Sequence, residues 1–272
     1  MIINHNLNAM NSHRNLTFNN AQQGKSSEKL SSGYRINRAA DDAAGLSISE
    51  QMRSQIKGMN QGMRNAQDGI SLVQTAEGAM NEVSDMLTRM KELATQAQNN
   101  TYNANDRTAM DAEYTSLTTA IDSIAANTKF NGITLLDGSA SATFTIQTGG
   151  GAADQVVMDL STIDVTTATL GVASGVGTAA AAITASGQVD AAITKVNTAR
   201  SSLGAYQNQL EHVYNNVGIN AENLQAAESR IRDTDMASEM MSYTKFNILQ
   251  QASTAMLAQA NQAPQGVLQL LR

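Results

Sequence analysis

The stretch from Val189 to Ile231 reads VDAAITK-VNTARSS-LGAYQNQ-LEHVYNN-VGINAEN-LQAAESR-I, and its first residue in every block of seven is apolar: Val189, Val196, Leu203, Leu210, Val217, Leu224 and Ile231. An unbroken apolar stripe of this period needs a partner helix along its whole length. A second series stands nearer the amino terminus, at Met52, Met59, Ala66, Val73, Met80, Leu87 and Ala94. The two are far apart in sequence, so the chain is expected to fold back and join its own ends. The fold class that follows is mainly α: a long antiparallel helical, coiled-coil rod formed by both chain ends, with a small β-hairpin region in the middle. The stripes read first as intramolecular core. Contact with a neighbouring copy is the alternative for part of them.

Composition suits close helix packing. Aromatics make up 4% of the 272 residues, there is no Trp, and 14 methionines join Leu, Ile, Val and Ala as candidate core filler. The single proline, Pro264, leaves everything upstream free to be helical. A net charge of −6 argues against a general nucleic-acid binder. The absence of cysteine excludes disulfides and thiolate chemistry. The amino terminus has no apolar core of a Sec signal peptide, and no run reaches the ~18 apolar residues of a membrane span. Membrane insertion is not expected, and export would need another route.

Outward from the ladders, residues 1–32 read as a weakly apolar helix with Ile3, Leu7 and Met10 on one side. The stretch 33–45 is irregular. Ser47 with Glu50 has the spacing of a capping box for the next helix, and Asp42 is a rival cap. That helix should run to about Gln98. A third helix carries Met110, Tyr114, Leu117, Ile121 and Ile124. Asn131-Gly132 and Asp137-Gly138 are hairpin-type turn signals, and two apolar runs flanking Gly149–Gly151 read as a small hairpin. Residues 161–187, rich in Thr, Ala, Ser and Gly, read as a short solvent-facing tip. A last helix begins after a charged joint at 230–235, and Pro264 with Gly266 should break it.

Residues Phe246 to Leu271 contain no charged side chain, and the first 24 are nearly as neutral. A lone amphipathic helix of this kind is poorly stable in water. It suits dense packing against copies of itself, so the termini are expected to order on assembly. No catalytic site emerges. His5, His13 and His212 lack metal-ligand spacing, no His-Glu-x-x-His or Gly-x-Ser-x-Gly is present, and Gly171-x-x-x-Gly175-x-Gly177 lacks the Lys-Ser/Thr of a phosphate loop. No cofactor or metal is expected.

Three stretches together carry a resemblance. EKLSSGYRINRAADDAAGLSISE from Glu28 to Glu50, QDGISLVQTAEGA from Gln67 to Ala79, and at the far end AESRIRDTDM from Ala227 with AQANQAPQGVLQLLR from Ala258 to Arg272 closely resemble the signatures of bacterial flagellin. The likeness spans roughly residues 1–138 and 188–272. Large flagellins carry outer domains in the middle, where this chain has almost nothing.

The resemblance implies a structural subunit that self-polymerises into the extracellular flagellar filament for motility. It implies an inner terminal-helix domain, residues 1–43 plus 232–272, and a rod-shaped domain, 44–231, whose β part is about 130–165 and whose tip is about 161–187. The rod core would hold Met52, Met59, Val73, Met80 and Leu87 against the ladder from Val189. Gly33, Arg35, Asn37, Arg38, Asp41, Asp42 and Gly45 would form an ordered inter-domain connector. Polymerisation would use Leu7, Met10, Phe246, Leu249, Met256, Leu257, Leu268 and Leu271. The implied partners are the chain itself as a helical homopolymer, a flagellar export chaperone, a filament cap protein and a hook-filament junction protein. Flagellins recognised by Toll-like receptor 5 carry an Arg, a Leu four residues on and a Glu on the next helix, matched here by Arg89, Leu93 and Glu113. Thr88 and Met90 depart from the commonest pattern there. The alternatives are a hook-filament junction protein of the same family, with similar ends, and a non-flagellar coiled-coil binding module.

Overall fold

The computed structural model describes residues 6–138, 143–151, 153–160 and 163–270, with side chains as far as residue 262. In chain order the elements are α1 (Leu7–Ser32), α2 (Ala43–Ala97), α3 (Ala104–Asn127), β1 (Lys129–Phe130), β2 (Ile133–Thr134), β3 (Thr143–Gln147), β4 (Gln155–Asp159), α4 (Thr167–Leu170), α5 (Ala179–Arg232) and α6 (Met236–Leu270). They form two compact units: Gln55–Glu222, and Met1–Ser54 with Asn223–Arg272.

In the unit Gln55–Glu222, α2 and α5 pair antiparallel. Gln98 Nε2 donates to the Ala182 carbonyl at 3.2 Å, Lys91 reaches Asp190, and Arg200 faces Glu77 at 3.8 Å. One buried series follows alternating steps of three and four: Ala66, Gly69, Val73, Ala76, Met80, Val83, Leu87, Met90, Ala94 and Ala97 on α2, with Leu72 and Leu93 buried one position beside it. On α5 the matching series is Ala182, Ala185, Val189, Ala192, Val196, Ala199 and Leu203. This is the seam of a coiled coil, and on α5 alanines alternate with larger residues from Ala185 to Leu203. The ladder is fully buried from Val189 to Leu210, whereas Val217, Leu224 and Ile231 are half-buried, as are Met52 and Met59. From α3, Met110, Tyr114 and Ile121 pack into the same core, with Leu117 and Ile124 at its margin.

The two small hairpins are antiparallel and separate. Asn131 and Gly132 both have positive φ, 49° and 82°, which gives the tight turn between β1 and β2 the twist its strands need. The β3–β4 hairpin buries Val156 and Met158 while Val157 points outward. Its turn rests on α2 at Gly62, where a Cβ would collide with the Thr148 backbone. Asn65 Nδ2 donates to the Gln147 carbonyl beside it at 2.8 Å.

The segment expected to be a solvent-facing tip is not one. Ile163, Val165, Leu170, Val172 and Val176 are all buried, and α5 begins at Ala179 rather than near Val189. Carboxylates on α3 anchor this low-complexity stretch. Asp122 accepts from the Thr167 N–H and hydroxyl, and Asp111 accepts from the Val176 N–H at 2.6 Å. Asp164 ties down its start by accepting from Thr166 and Thr169. Burial alone would raise the Asp164 pKa, but those hydrogen bonds hold it below the ordinary carboxylate value. The apolar residues are too widely spaced among Thr and Gly to show a period.

Two further expectations are corrected. Ser47 lies inside α2, and the cap is Asp42, whose Oδ1 accepts from the Gly45 N–H at 2.9 Å. Pro264 does not break α6, which continues to Leu270.

Candidate assembly surface and connector

Helices α1 and α6 pair with each other in the unit formed by the chain ends. The buried residues of α1 are polar, Asn19 and Ser26. Asn19 Nδ2 donates to Ser253 Oγ at 2.9 Å and to the Leu249 carbonyl at 3.4 Å. Near the start of α1, Asn6 Oδ1 accepts from the Ala9 N–H as its cap, while Asn6 Nδ2 donates to the Ala260 carbonyl at 2.7 Å.

Many large apolar side chains of this pair are exposed. Leu7 is 67% exposed, Met10 62%, Phe18 57%, Met241 69%, Ile248 61% and Met256 63%. Met236, Met240 and Leu249 are exposed as well, and Phe246 and Leu257 are half-buried. Of the residues expected to serve polymerisation, Leu7, Met10, Leu249 and Met256 thus stand free in the single chain. Leu268 is described by its backbone alone, and Leu271 lies outside the described residues. The reading of the methionines as core filler is correct for Met80, Met90 and Met158 but not for those of α1 and α6.

The connector is held along its length. Gly33 ends α1 in the left-handed conformation at φ 75°, its N–H donating to the Lys29 carbonyl. Tyr34 then bridges to Asp233, with Arg35 N–H donating to the Arg232 carbonyl at 2.7 Å and Thr234 N–H to the Gly33 carbonyl at 3.0 Å. Arg35 Nη2 reaches the Ile231 carbonyl at 2.6 Å, satisfying an end carbonyl of α5. Ile36 is buried, and at Gly45 a Cβ would come within 2.8 Å of its Cδ1, so glycine makes room for it against α2. Asp41 accepts from the backbone N–H groups of Arg38 and Asn37, which lowers its pKa. Arg38 pairs with Glu28 at 3.0 Å.

Three residues that the sequence did not place in the connector complete the joint. The Arg232 guanidinium lies over the Tyr34 ring, 4.9 Å from its centroid, and donates to Glu50 Oε1 at 2.5 Å. That hydrogen bond is the main reason the Glu50 carboxyl is held below its ordinary pKa, with Arg53 adding to it. Arg232 belonged to a visibly charged joint, but nothing local in the sequence links it to Tyr34 or Glu50.

In the other unit, Arg89 Nε donates to Glu113 Oε1 at 2.9 Å, and Arg89 Nη1 to Glu92 Oε2 at the same distance. These contacts raise the Arg89 pKa, that with Glu113 most. Arg89 and Glu113 are exposed, but Leu93 is buried in the core. Arg89 thus stands at the surface of α2 while Leu93, one turn on, is covered by the core. Among the described residues, no group of His, Cys, Asp and Glu could hold a metal ion, and no helix is long and apolar enough to cross a membrane.

Comparison with known proteins matches both ends of the chain. The bacterial flagellin N-terminal helical region matches residues 3–141, and the bacterial flagellin C-terminal helical region matches residues 186–271. A flagellin of Halalkalibacterium halodurans is 52% identical over 273 residues, covering 100% of both chains. A flagellin of Bacillus subtilis is 45% identical over 306 residues, again with 100% of both covered. The crystal structure of Bacillus cereus flagellin aligns with a TM-score of 0.52 at 38% identity, covering 61% of this chain and 94% of that one. With both family regions matched and full-length relatives of 45–52% identity, the chain belongs to the bacterial flagellins as a short form, a structural subunit of the flagellar filament and not an enzyme.

Proposed function

We propose that the chain polymerises through its terminal helices, burying Leu7, Met10, Phe246, Leu249, Met256 and Leu257, with Leu268 and Leu271 beyond them, against other copies of itself. One observation carries this reading: the buried positions of α1 are polar, with Asn19 bonded to Ser253, while Leu7, Met10, Phe18, Met241, Ile248 and Met256 are exposed. Burying apolar surface at about 25 cal/mol per Å² supplies the drive for association. The missing charges from Phe246 to Leu271 remove the repulsion that identical neighbours would suffer.

In this reading the subunit leaves the cell unfolded through the flagellar export channel, its carboxy-terminal helix held beforehand by an export chaperone. It is added at the distal end beneath a cap protein, on a filament started from the hook-filament junction. The inner domain of residues 1–43 and 232–272 lines the filament channel, and the segment 44–231 forms the layer outside it. Electron microscopy of purified protein after seeding tests the assembly step. Long tubular filaments are expected from the unaltered chain and none from Leu257→Pro. Unchanged filaments from Leu257→Pro, or a discrete oligomer from the unaltered chain, would refute it.

A second reading concerns recognition of free subunits by Toll-like receptor 5. It is favoured by the exposed Arg89–Glu113 pair joining α2 and α3. Arg89 and Glu113 would make the contact, and Leu93 would support the helix from beneath. Binding of the free subunit to the receptor ectodomain should weaken in Arg89→Ala, and equal affinity would sink the assignment.

A further inference from the structure

The described methionines are sorted by location. Those of the unit Gln55–Glu222 are buried or half-buried, with Met80, Met90 and Met158 fully enclosed. The exposed ones all stand on α1 or α6: Met10 at 62%, Met236 at 48%, Met240 at 50%, Met241 at 69% and Met256 at 63%. Met236 and Met240 are one turn apart on α6, and Met240, Met241 and Ile248 border a shallow apolar depression with Thr244 and Lys245. Leucine would bury similar area here. A thioether differs in being open to two-electron oxidation.

We propose that this thioether face is an oxidation site that controls assembly, with hydroperoxides as the oxidant class. The proposal rests on the assembly reading above, in which a second copy of the chain covers the same face. In the reaction the sulfur attacks one peroxide oxygen. An S–O bond forms, the O–O bond breaks, and the second oxygen takes the proton of the transferred hydroxyl and leaves as water from hydrogen peroxide or as the alcohol from an organic hydroperoxide. Sulfur is oxidised by two electrons and the peroxide is reduced. The product sulfoxide is polar and accepts hydrogen bonds. Buried between copies without a donor it opposes association, and a few such groups per subunit should raise the critical concentration for polymerisation by at least about tenfold. The enclosed methionines of the other unit escape because peroxide cannot reach them, so the fold survives while the assembly face is altered. A subunit already in the filament is protected by its neighbours.

The experiment uses the full chain with hydrogen peroxide as the oxidant. Peptide mass spectrometry follows sulfoxide at each methionine in free subunits and in filaments, and sedimentation after seeding gives the critical concentration. Met10, Met236, Met240, Met241 and Met256 should oxidise faster than Met80, Met90 and Met158 in free subunits and be protected in filaments. The oxidised subunits should keep their helical circular dichroism, and methionine sulfoxide reductases of both epimer specificities should restore assembly. A variant with these five methionines changed to Leu should polymerise equally well before and after peroxide. Oxidised wild-type subunits that assemble at an unchanged critical concentration would overturn the proposal, and so would an equal peroxide effect on the Leu variant. Protection in filaments with unchanged assembly after oxidation would remove the thioether role alone. Equal oxidation rates in subunit and filament would remove the covered face as well.

Discussion

Asn6 holds the carbonyl oxygen of Ala260 at 2.7 Å, and that carbonyl is the one Pro264 deprives of its helical partner. In an α-helix the N–H of residue 264 would donate to the oxygen of residue 260, and proline has none. The side-chain amide of Asn6 supplies the missing donor while its oxygen caps α1 at the Ala9 N–H. One side chain thereby starts one helix and lets the other continue. The carbonyl freed by the proline is thus satisfied where α6 runs on to Leu270.

Asn6→Ala should lose both contacts and cost about 1–3 kcal/mol in the pairing of the terminal helices. In a Pro264→Ala background the Ala260 carbonyl regains a backbone donor, so the same substitution should cost less. A double-mutant cycle read by amide hydrogen exchange at the two helix ends checks this. Strictly additive costs would show that Asn6 and Pro264 are not coupled.

Gly62→Ala should displace the β3–β4 hairpin, because the added methyl meets the backbone of Thr148 rather than a flexible side chain. A loss of about 2–3 kcal/mol in thermal unfolding is expected, in the range of overpacked sites. Gly78 lies on the same helix with nothing within 4 Å of an added Cβ, so Gly78→Ala should gain about 0.5–1 kcal/mol. If both substitutions moved stability in the same direction, the close approach at Gly62 would not be the cause.

The ladder should be unequal in its effects. Leu203→Ala, at a fully buried rung, should cost about 3 kcal/mol, and Leu224→Ala, at a half-buried one, about 1 kcal/mol in the free subunit. Denaturant unfolding of each variant measures this, and equal costs would contradict the graded burial.

Glu50 sets an acid limit on the joint. Its folded-state pKa is below the ordinary glutamate value, chiefly through the hydrogen bond from Arg232. The ionised form is thus favoured in the folded chain. The contact contributes fully above the unfolded pKa and is lost as pH falls through the lower folded value. As pH falls below the ordinary glutamate range the joint between Tyr34, Arg232 and Glu50 should loosen, and Glu50→Gln should flatten that part of the stability profile. An identical acid limb in Glu50→Gln, followed by hydrogen exchange at Arg35 and Thr234, would exclude this role.

The parts of the fold legible in the sequence are those with a short repeat or a local stereochemical rule. Two heptad series announced α2 and α5, because burial on one side of a helix must recur with its turn. Asn131-Gly132 announced a hairpin, because few residue pairs accept two positive φ values. The segment 163–176 was misread for the opposite reason. Its buried residues Ile163, Val165, Leu170, Val172 and Val176 follow no period, and they are fixed by Asp111 and Asp122 on another element. The connector was legible as a cluster of Gly, Arg and Asp, but Arg232 and Glu50, which close it, were not.

The sequence by itself determined the long helices, their antiparallel pairing, the family, and the low charge of the ends. These depend on periodicity and composition, which the chain carries locally. Only the tertiary structure decided which side of each helix is covered. It buried Leu93 while leaving Arg89 exposed, and it turned Met10, Met241 and Met256 outward while Asn19 and Ser26 took the inside of α1. Apolar character states only that a side chain gains by being covered. Whether its own chain covers it or another copy must do so depends on where the other elements come to rest.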